Sequence, residues 1–170
     1  MEAIHSEPAW RDRADFIIAA PVGPSATGVT TEQLWARKIT GNQFELCCIP
    51  FFVYDLALGD IVETTGDLLV DRVAEPSGRF VFRVFFPHSD SPREATLAAL
   101  SALDALTEWS SPSLLAVDAS KETRAKTIAG FLQQSEDQGH LLYETGQVCL
   151  ASVSTAHWTP EQVRWHPLQR

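Results

Sequence analysis

The residues of this sequence that could do chemistry are three cysteines, five histidines and 22 acidic side chains. A cysteine nucleophile requires a lowered thiol pKa and a base beside it. Cys47 and Cys48 lie instead in the most apolar stretch of the chain, where burial raises the pKa of a thiol. We therefore interpret both as core residues, and the odd, unevenly spaced set of cysteines predicts reduced thiols.

The histidines and glycines form none of the familiar motifs for metals, nucleotides or acyl transfer. His5, His88, His140, His157 and His166 are scattered, without HxH or HExxH spacing, and no CxxC pair is present. The sequence also lacks a Walker A loop, a GxGxxG loop and a GxSxG elbow. We accordingly predict no catalytic residue, no bound cofactor and no metal ion.

Three carboxylates surround one glycine turn, at Asp55, Asp60 and Glu63. Two carboxylates can act as acid and base if the fold brings them together, but nearness in sequence does not supply that geometry. The alternative is that Asp60 holds the turn by accepting backbone hydrogen bonds, while Asp55 and Glu63 face water. We favour this second interpretation, in which Asp60 holds the turn and the other two carboxylates face water.

The charge balance restricts the kinds of partner. Lysine and arginine total 13 against 22 acidic residues, which gives a formal net charge of -9. Such a protein repels nucleic acid phosphates and anionic membranes, and it suits either solubility alone or a basic protein partner. The phenylalanines within residues 80–86 could stack on bases, but only Arg79 and Arg83 accompany them, so we interpret these rings as core.

The composition also predicts where in the cell the protein is found. No apolar run approaches the roughly 20 residues of a membrane helix. The polar N-terminus carries no apolar signal region, and together with the reduced thiols this predicts a cytoplasmic protein without membrane contact.

The first half of the chain predicts strands. Residues 1–14 are polar and mixed, and we expect a loose N-terminal segment. Between 15 and 75, short apolar runs alternate with glycine turns, which predicts a small, bent antiparallel β unit or barrel. Residues 51–58 form an apolar segment that we expect to cross and cap the mouth of this unit.

The pattern changes after Glu75-Pro76-Ser77-Gly78. Residues 79–146 read as β-α-β-β-α-β, the ferredoxin-like arrangement, and residues 147–170 form a C-terminal extension. The apolar stripes of the two helices are expected to share one core with the first strand, through Leu97, Leu100, Leu103, Ile128, Leu132, Phe82 and Val84. The predicted fold class is α+β, with the bent antiparallel unit packed on the ferredoxin-like unit.

Several stretches resemble a bacterial family. They are Glu-Gln-Leu-Trp-Ala-Arg at 32–37, Ile-Pro-Phe-Phe at 49–52 and Leu-Gly-Asp-Ile-Val-Glu at 58–63, with support from 116–118 and 142–144. From about Arg13 to Gly146, the chain resembles the domain-of-unknown-function family 4265. The resemblance implies a bacterial origin and supplies no catalytic residues, and the extension after Gly146 lies outside it.

Two hypotheses of function remain. The first is a non-catalytic binding protein that occludes a basic protein partner stoichiometrically, such as an immunity protein that neutralises a bacterial toxin. The alternative is an enzyme or small-ligand-binding protein with its site in the cleft between the two units, because pockets favour domain junctions. The lack of catalytic motifs favours the first, and whether the protein is an enzyme stays open.

Two acidic clusters are candidates for partner binding. The first lies around the turns of the N-terminal unit and comprises Asp55, Asp60, Glu63, Asp67 and Asp71. The second, competing cluster lies on the second predicted helix and comprises Glu122, Glu136 and Asp137.

Overall fold

The computed structural model of the protein describes residues 1–23 and 28–146. The strands are Glu2–Ala3 (β1), Phe16–Pro21 (β2), Thr31–Thr40 (β3), Gln43–Leu46 (β4), Ile61–Thr64 (β5), Val70–Glu75 (β6), Phe80–Phe85 (β7), Leu106–Ser111 (β8), Leu114–Ala119 (β9) and Leu142–Thr145 (β10). The α-helices are Arg93–Ala102 (α1) and Glu122–Asp137 (α2), and a short 3₁₀ helix spans Arg11–Arg13. The described residues therefore form an α+β fold with two sheets and two α-helices, in which strands predominate.

The first sheet is organised around the long strand β3. β3 pairs antiparallel with β2 and β4 and parallel with β1, and β5 and β6 continue the antiparallel order. A parallel bridge between Ala19 and Leu69 brings the start of β6 beside β2, so the sheet curls back on itself. Alternation along the strands buries one face, with Ile18, Leu34 and Phe44 at its centre.

Residues 47–60 cross one end of this sheet without forming a strand. Leu56, which belongs to the predicted capping segment 51–58, packs among the inner side chains of the first sheet, and so does Cys48. Other apolar residues of the segment pack on the second sheet, through contacts of Ile49, Phe51, Ala57 and Leu58 with Val81 and Ala116. The segment therefore joins the two sheets through buried side chains.

The second sheet has the strand order β10-β7-β9-β8, and every neighbouring pair is antiparallel. Helices α1 and α2 cover one of its faces. The predicted shared core is confirmed: Phe82, Val84, Leu100, Ile128 and Leu132 are buried in one cluster, and Leu97 and Leu103 pack partly buried against it. How the chain divides into domains at residues 75–79 stays a prediction.

Truncation of the α1 stripe tests this core. We expect Leu100→Ala to lower the free energy of unfolding by about 2–5 kcal/mol, because it removes apolar contacts and leaves a cavity at a fully buried position. Urea denaturation measures the change. Leu142→Ala, at a leucine that is 47% exposed, is the matched control and should have a much smaller effect. Equal shifts in the two variants would contradict the assignment of Leu100 to the core.

The N-terminal segment differs from its prediction. The composition of residues 1–14 predicts a loose segment, yet they contain β1 and the 3₁₀ helix, and the side chain of His5 is buried. The Trp10 amide donates a hydrogen bond to the Cys47 carbonyl at 3.0 Å. The ring of Trp10 also lies against Gly59, where an added Cβ would approach the ring to 3.1 Å. These long-range contacts hold the N-terminal segment against the rest of the fold, although its composition alone predicts no regular structure.

Neither α-helix in the described ranges has the length and apolarity needed to cross a membrane. The predicted C-terminal extension, residues 147–170, lies outside the described residues.

Candidate functional site

The most concentrated group of ionisable side chains is buried at the junction of the two sheets. It consists of Glu32, Glu108, His5 and Cys48, and we call it the buried carboxylate cluster. Each of these residues is at most 3% exposed. Glu32 comes from β3 and Glu108 from β8, so the cluster takes one carboxylate from each sheet.

Glu32 fixes the start of the crossing segment. Its side chain has the same strand parity as Leu34 and therefore points inward from β3. Its Oε2 accepts hydrogen bonds from the amides of Phe52 at 2.9 Å and Val53 at 3.0 Å, and its Oε1 accepts one from Phe51. Three consecutive backbone N–H groups thus surround one carboxylate, which satisfies amides that no regular strand would pair.

Glu108 performs a similar role from the second sheet. Its Oε1 accepts hydrogen bonds from the amides of Ile49 at 2.7 Å and Ala9 at 2.8 Å. These donors belong to the crossing segment and to the N-terminal segment. Glu108 therefore links three parts of the chain that are far apart in sequence.

His5 lies between the two carboxylates. Its Nδ1 is 2.6 Å from Oε2 of Glu108 and its Nε2 is 3.0 Å from Oε1 of Glu32. An ionised carboxylate only accepts hydrogen bonds, so both ring nitrogens must donate and the ring must be an imidazolium. The ring also stacks on Phe51, with centroids 4.0 Å apart.

The titration behaviour of His5 follows from these contacts. Burial disfavours the charged ring, but the charge and hydrogen bond of Cys48 and the hydrogen bonds to Glu108 and Glu32 outweigh it and raise the pKa of His5 to about 12. Burial also raises the pKa of the Cys48 thiol, more than its contact with His5 lowers it. The thiol is therefore uncharged near neutral pH, where the two carboxylates keep His5 protonated, and the charge of Cys48 acts on the ring only at the higher pH at which the thiol ionises.

The buried carboxylate cluster is suited to holding the fold rather than to turnover. Its carboxylate oxygens are occupied by backbone amides and the imidazolium, and its side chains have almost no contact with solvent. In the part of the chain that the structure describes, no three or more His, Cys, Asp or Glu side chains are arranged to hold a metal ion. A thiol with a raised pKa at such a site is a poor nucleophile.

The cysteines agree with the prediction of reduced thiols where the structure describes them. Cys47 and Cys48 are both free and buried. Burial raises the pKa of Cys47 to about 11, and the neighbouring charge of Glu45 adds to the effect. Cys149 lies outside the described residues.

Charged pairs fill the rest of the junction between the sheets. Arg79 donates to Oδ1 of Asp118 at 2.9 Å, and burial raises the pKa of Asp118 although Arg79 acts against the rise. Arg83 donates to Oε1 of Glu144 at 3.2 Å and stacks over the ring of Tyr54. The junction therefore consists of paired charges and apolar packing.

The predicted partner-binding residues do not form a single surface. Asp60 is 4% exposed, and its carboxylate accepts hydrogen bonds from the amides of Ala57 and Ser77 at 2.8 and 2.6 Å. It holds the turn, as the favoured alternative predicts, and its inclusion in a surface cluster is wrong. Glu63 is half-buried and accepts hydrogen bonds from Gln43 and Arg72.

The three remaining residues of that cluster are exposed but lie in two places. The Asp55 amide donates to the Gly146 carbonyl at 2.9 Å, next to β10 of the second sheet, whereas Asp67 lies in the β5–β6 turn and Asp71 on β6 of the first sheet. Among the ion pairs of the described residues, none involves Asp67 or Asp71. On α2, by contrast, Glu122 pairs with Lys126 at 2.6 Å.

Two surface grooves lie away from the junction. One has a volume of about 430 Å³ and is lined by Ser89, Arg93, Trp109 and Pro112. The guanidinium of Arg93 donates there to three backbone carbonyls, so each of its three nitrogens already makes one hydrogen bond to the protein. The other groove, of about 240 Å³, lies on the first sheet beside β2 and the β5–β6 turn.

The buried carboxylate cluster is not among the site residues that the sequence predicts. For Glu32 a signal existed, because its parity in β3 matches that of Leu34 and Ala36 and so places it on the inner face. For His5 and Glu108 there was none, because their contact spans 103 positions.

Comparison with known proteins places the chain in a family. No curated protein matches it. A solved structure described as a "Novel crystal structure of a hypothetical protein from Neisseria gonorrhoeae" is similar, with a TM-score of 0.68 and 20% identity, over 79% of this chain and 96% of that one. At that identity the likeness concerns the fold alone. Residues 32–143 match the family described as "Domain of unknown function (DUF4265)", and since this is more than half of the sequence, the protein belongs to that family.

Proposed function

We propose that this protein acts by stoichiometric binding to a basic protein partner and not by turnover, in the manner of an immunity protein that neutralises a bacterial toxin. The proposal places it in the bacterial cytoplasm. The observation that carries it is the contrast between acidic residues inside the fold and at its surface. Glu32, Glu108 and Asp118 are buried and bound, whereas Asp67 and Asp71 are exposed and outside the ion pairs of the described residues.

The buried groups argue against the enzymatic alternative. A ligand site between the two units needs open space and available polar groups at their junction. The junction is instead packed by Ile49, Phe51 and Val81, and its carboxylates already accept hydrogen bonds from the protein itself. A small-ligand site in that cleft therefore has less support than a binding surface outside it.

We also propose that residues 79–146 have the ferredoxin-like arrangement. Two features support it: the succession of strands and helices from β7 to β10, and the strand order β10-β7-β9-β8 with antiparallel neighbours. In this arrangement the helices occupy one face, and the other face remains for the crossing segment.

To test this function, a tagged form of the protein is used as bait to recover its partner from a bacterial host. We expect a basic protein in a fixed stoichiometric complex. Because opposite charges steer the encounter, added salt should slow association steeply and alter dissociation less. The double variant Asp67→Lys/Asp71→Lys should weaken binding about tenfold or more, with an almost unchanged melting temperature.

The control is Glu122→Lys/Asp137→Lys, which makes the same charge change on α2. We expect it to leave the affinity nearly unchanged. Recovery of no protein, together with turnover or tight binding of a small metabolite by the pure chain, would show that the protein is not a protein-binding module.

A further inference from the structure

Three aliphatic side chains are exposed close together on the first sheet. Ile17 on β2 is 44% exposed, and Leu68 and Leu69 in the β5–β6 turn are 37% and 40% exposed. The Ala19 amide donates to the Leu68 carbonyl at 3.0 Å, and Ala19 also bridges to Leu69, so the turn is fixed beside β2. Exposed aliphatic residues that share one surface often mark an interaction site.

The backbone of Leu68 is in an uncommon conformation. Its φ is 60°, in the left-handed region that favours glycine. The turn holds it there, since the Leu68 amide donates to the Thr65 carbonyl at 3.1 Å and the Thr65 amide donates to the Leu69 carbonyl at 2.8 Å. A glycine would adopt this turn at lower conformational cost. The sequence instead has a large apolar side chain that is exposed, and such strained residues concentrate at functional sites.

The groove beside these residues is acidic. It has a volume of about 240 Å³, and its lining residues are Glu2, Ile17, Ile18, Ala19, Gln33, Asp67 and Leu68. That lining contains two carboxylates and no lysine or arginine. Asp71 follows Leu69 by two positions and is exposed. The groove therefore combines an aliphatic centre with a negative margin, which complements a positively charged segment that carries an apolar side chain.

We propose that this groove, formed by β2 and the β5–β6 turn, is the docking surface for a basic polypeptide segment that inserts an aliphatic side chain between Ile17 and Leu68. The inference rests on the proposed function, because it names where and how the basic partner binds. Aliphatic contact supplies affinity at the centre, and Asp67, Asp71 and Glu2 select positive charge around it.

The test titrates the isotope-labelled full chain with a nine-residue peptide of lysines around two central leucines, followed by amide NMR shifts. We expect shifts concentrated at residues 17–19 and 65–71, and an affinity that falls as salt is added. A peptide with serine in place of both leucines should bind at least about fivefold more weakly. Shifts spread over the whole surface, or equal binding of the two peptides, would overturn the proposal.

Leu68→Gly is the decisive variant, because it removes the side chain while easing the left-handed backbone. We expect it to bind the leucine peptide about tenfold more weakly, with a melting temperature that is unchanged or higher. Leu142→Ser, which removes an exposed leucine on β10, is the control and should bind as the parent does. Parental peptide affinity in Leu68→Gly would contradict the docking surface.

The docking surface and the proposed function can fail independently of each other. If a recovered host partner binds Leu68→Gly as tightly as the parent, the docking surface is wrong while the binding function stands. If the leucine peptide binds in the groove, while no host protein is recovered and the pure chain turns over or tightly binds a small metabolite, the surface is supported and the proposed function fails.

Discussion

Glu32→Gln is expected to lower the free energy of unfolding by about 3–5 kcal/mol, the cost of removing one member of a buried charged pair. The substitution preserves the size of the side chain. One of its terminal atoms becomes an NH₂ group, which faces backbone N–H donors or the imidazolium of His5 at positions where the carboxylate accepts. Two donors in contact are unfavourable, and the imidazolium loses one of its two negative partners.

We expect Glu32→Gln to open the structure locally before the whole protein unfolds. Residues 51–53 owe their backbone hydrogen bonds to Glu32, so their amides should lose protection from hydrogen exchange first. Urea denaturation measures the stability, and amide exchange shows where the structure opens.

Glu63→Gln is the matched control for this substitution. Glu63 also lies on a strand and accepts hydrogen bonds from Gln43 and Arg72, but its side chain is 21% exposed and that of Arg72 is 60% exposed. Exposed pairs contribute little to stability, so this variant should unfold almost as the parent does. If Glu32→Gln is no less stable than Glu63→Gln, Glu32 does not have the structural role assigned to it.

The sequence was informative wherever the determinant is local. The three-residue spacing of Leu97, Leu100 and Leu103 predicts the buried side of α1, and the alternation around Phe82 and Val84 predicts β7. Asp60 after Gly59 is also a local signal: glycine adopts the φ of 81° found there, and the aspartate accepts hydrogen bonds from nearby amides.

Features of the fold that depend on residues far apart in sequence could not be predicted. A polar stretch containing one histidine predicts a loose segment, because nothing near His5 indicates the two carboxylates that bury it. The net charge of -9 was likewise interpreted as a property of the surface. Several of those carboxylates in fact organise the interior, where Glu32 and Glu108 bind backbone amides of the crossing segment. Net charge therefore exaggerates how acidic the surface is.

The difference between residues that organise the interior and residues at the surface also applies to the stretches that carry the family resemblance. The residues that carry it include Glu32, the segment 49–52 and Asp60. In the structure, Glu32 binds that segment and Asp60 holds the turn that closes it. The recognisable part of the sequence therefore encodes a way of joining two sheets. A binding specificity would have to lie in other residues, such as Ile17 and Leu68 on the first sheet.

His5→Asn is expected to remove a pH dependence of stability that the parent protein shows. Folded His5 has a pKa of about 12 against 6.5 for the free side chain, so above pH 6.5 the unfolded chain releases a proton that the folded chain keeps. The stabilisation from His5 is therefore complete below pH 6.5 and declines as the pH rises toward the folded pKa. The slope is about 1.4 kcal/mol per pH unit once the unfolded histidine is deprotonated.

Urea denaturation between pH 6 and about 7.5 measures this slope, and the upper limit lies about one unit below the pKa of an unfolded cysteine, about 8.5. At pH 6 the variant should be less stable than the parent by about 3–5 kcal/mol, because Glu32 and Glu108 remain buried without their shared cation. The difference should shrink as the pH rises, since only the parent loses stability through His5. His140→Asn, at an exposed histidine, should retain the parental slope. A parental slope in His5→Asn would mean that His5 is not held as an imidazolium between the two carboxylates.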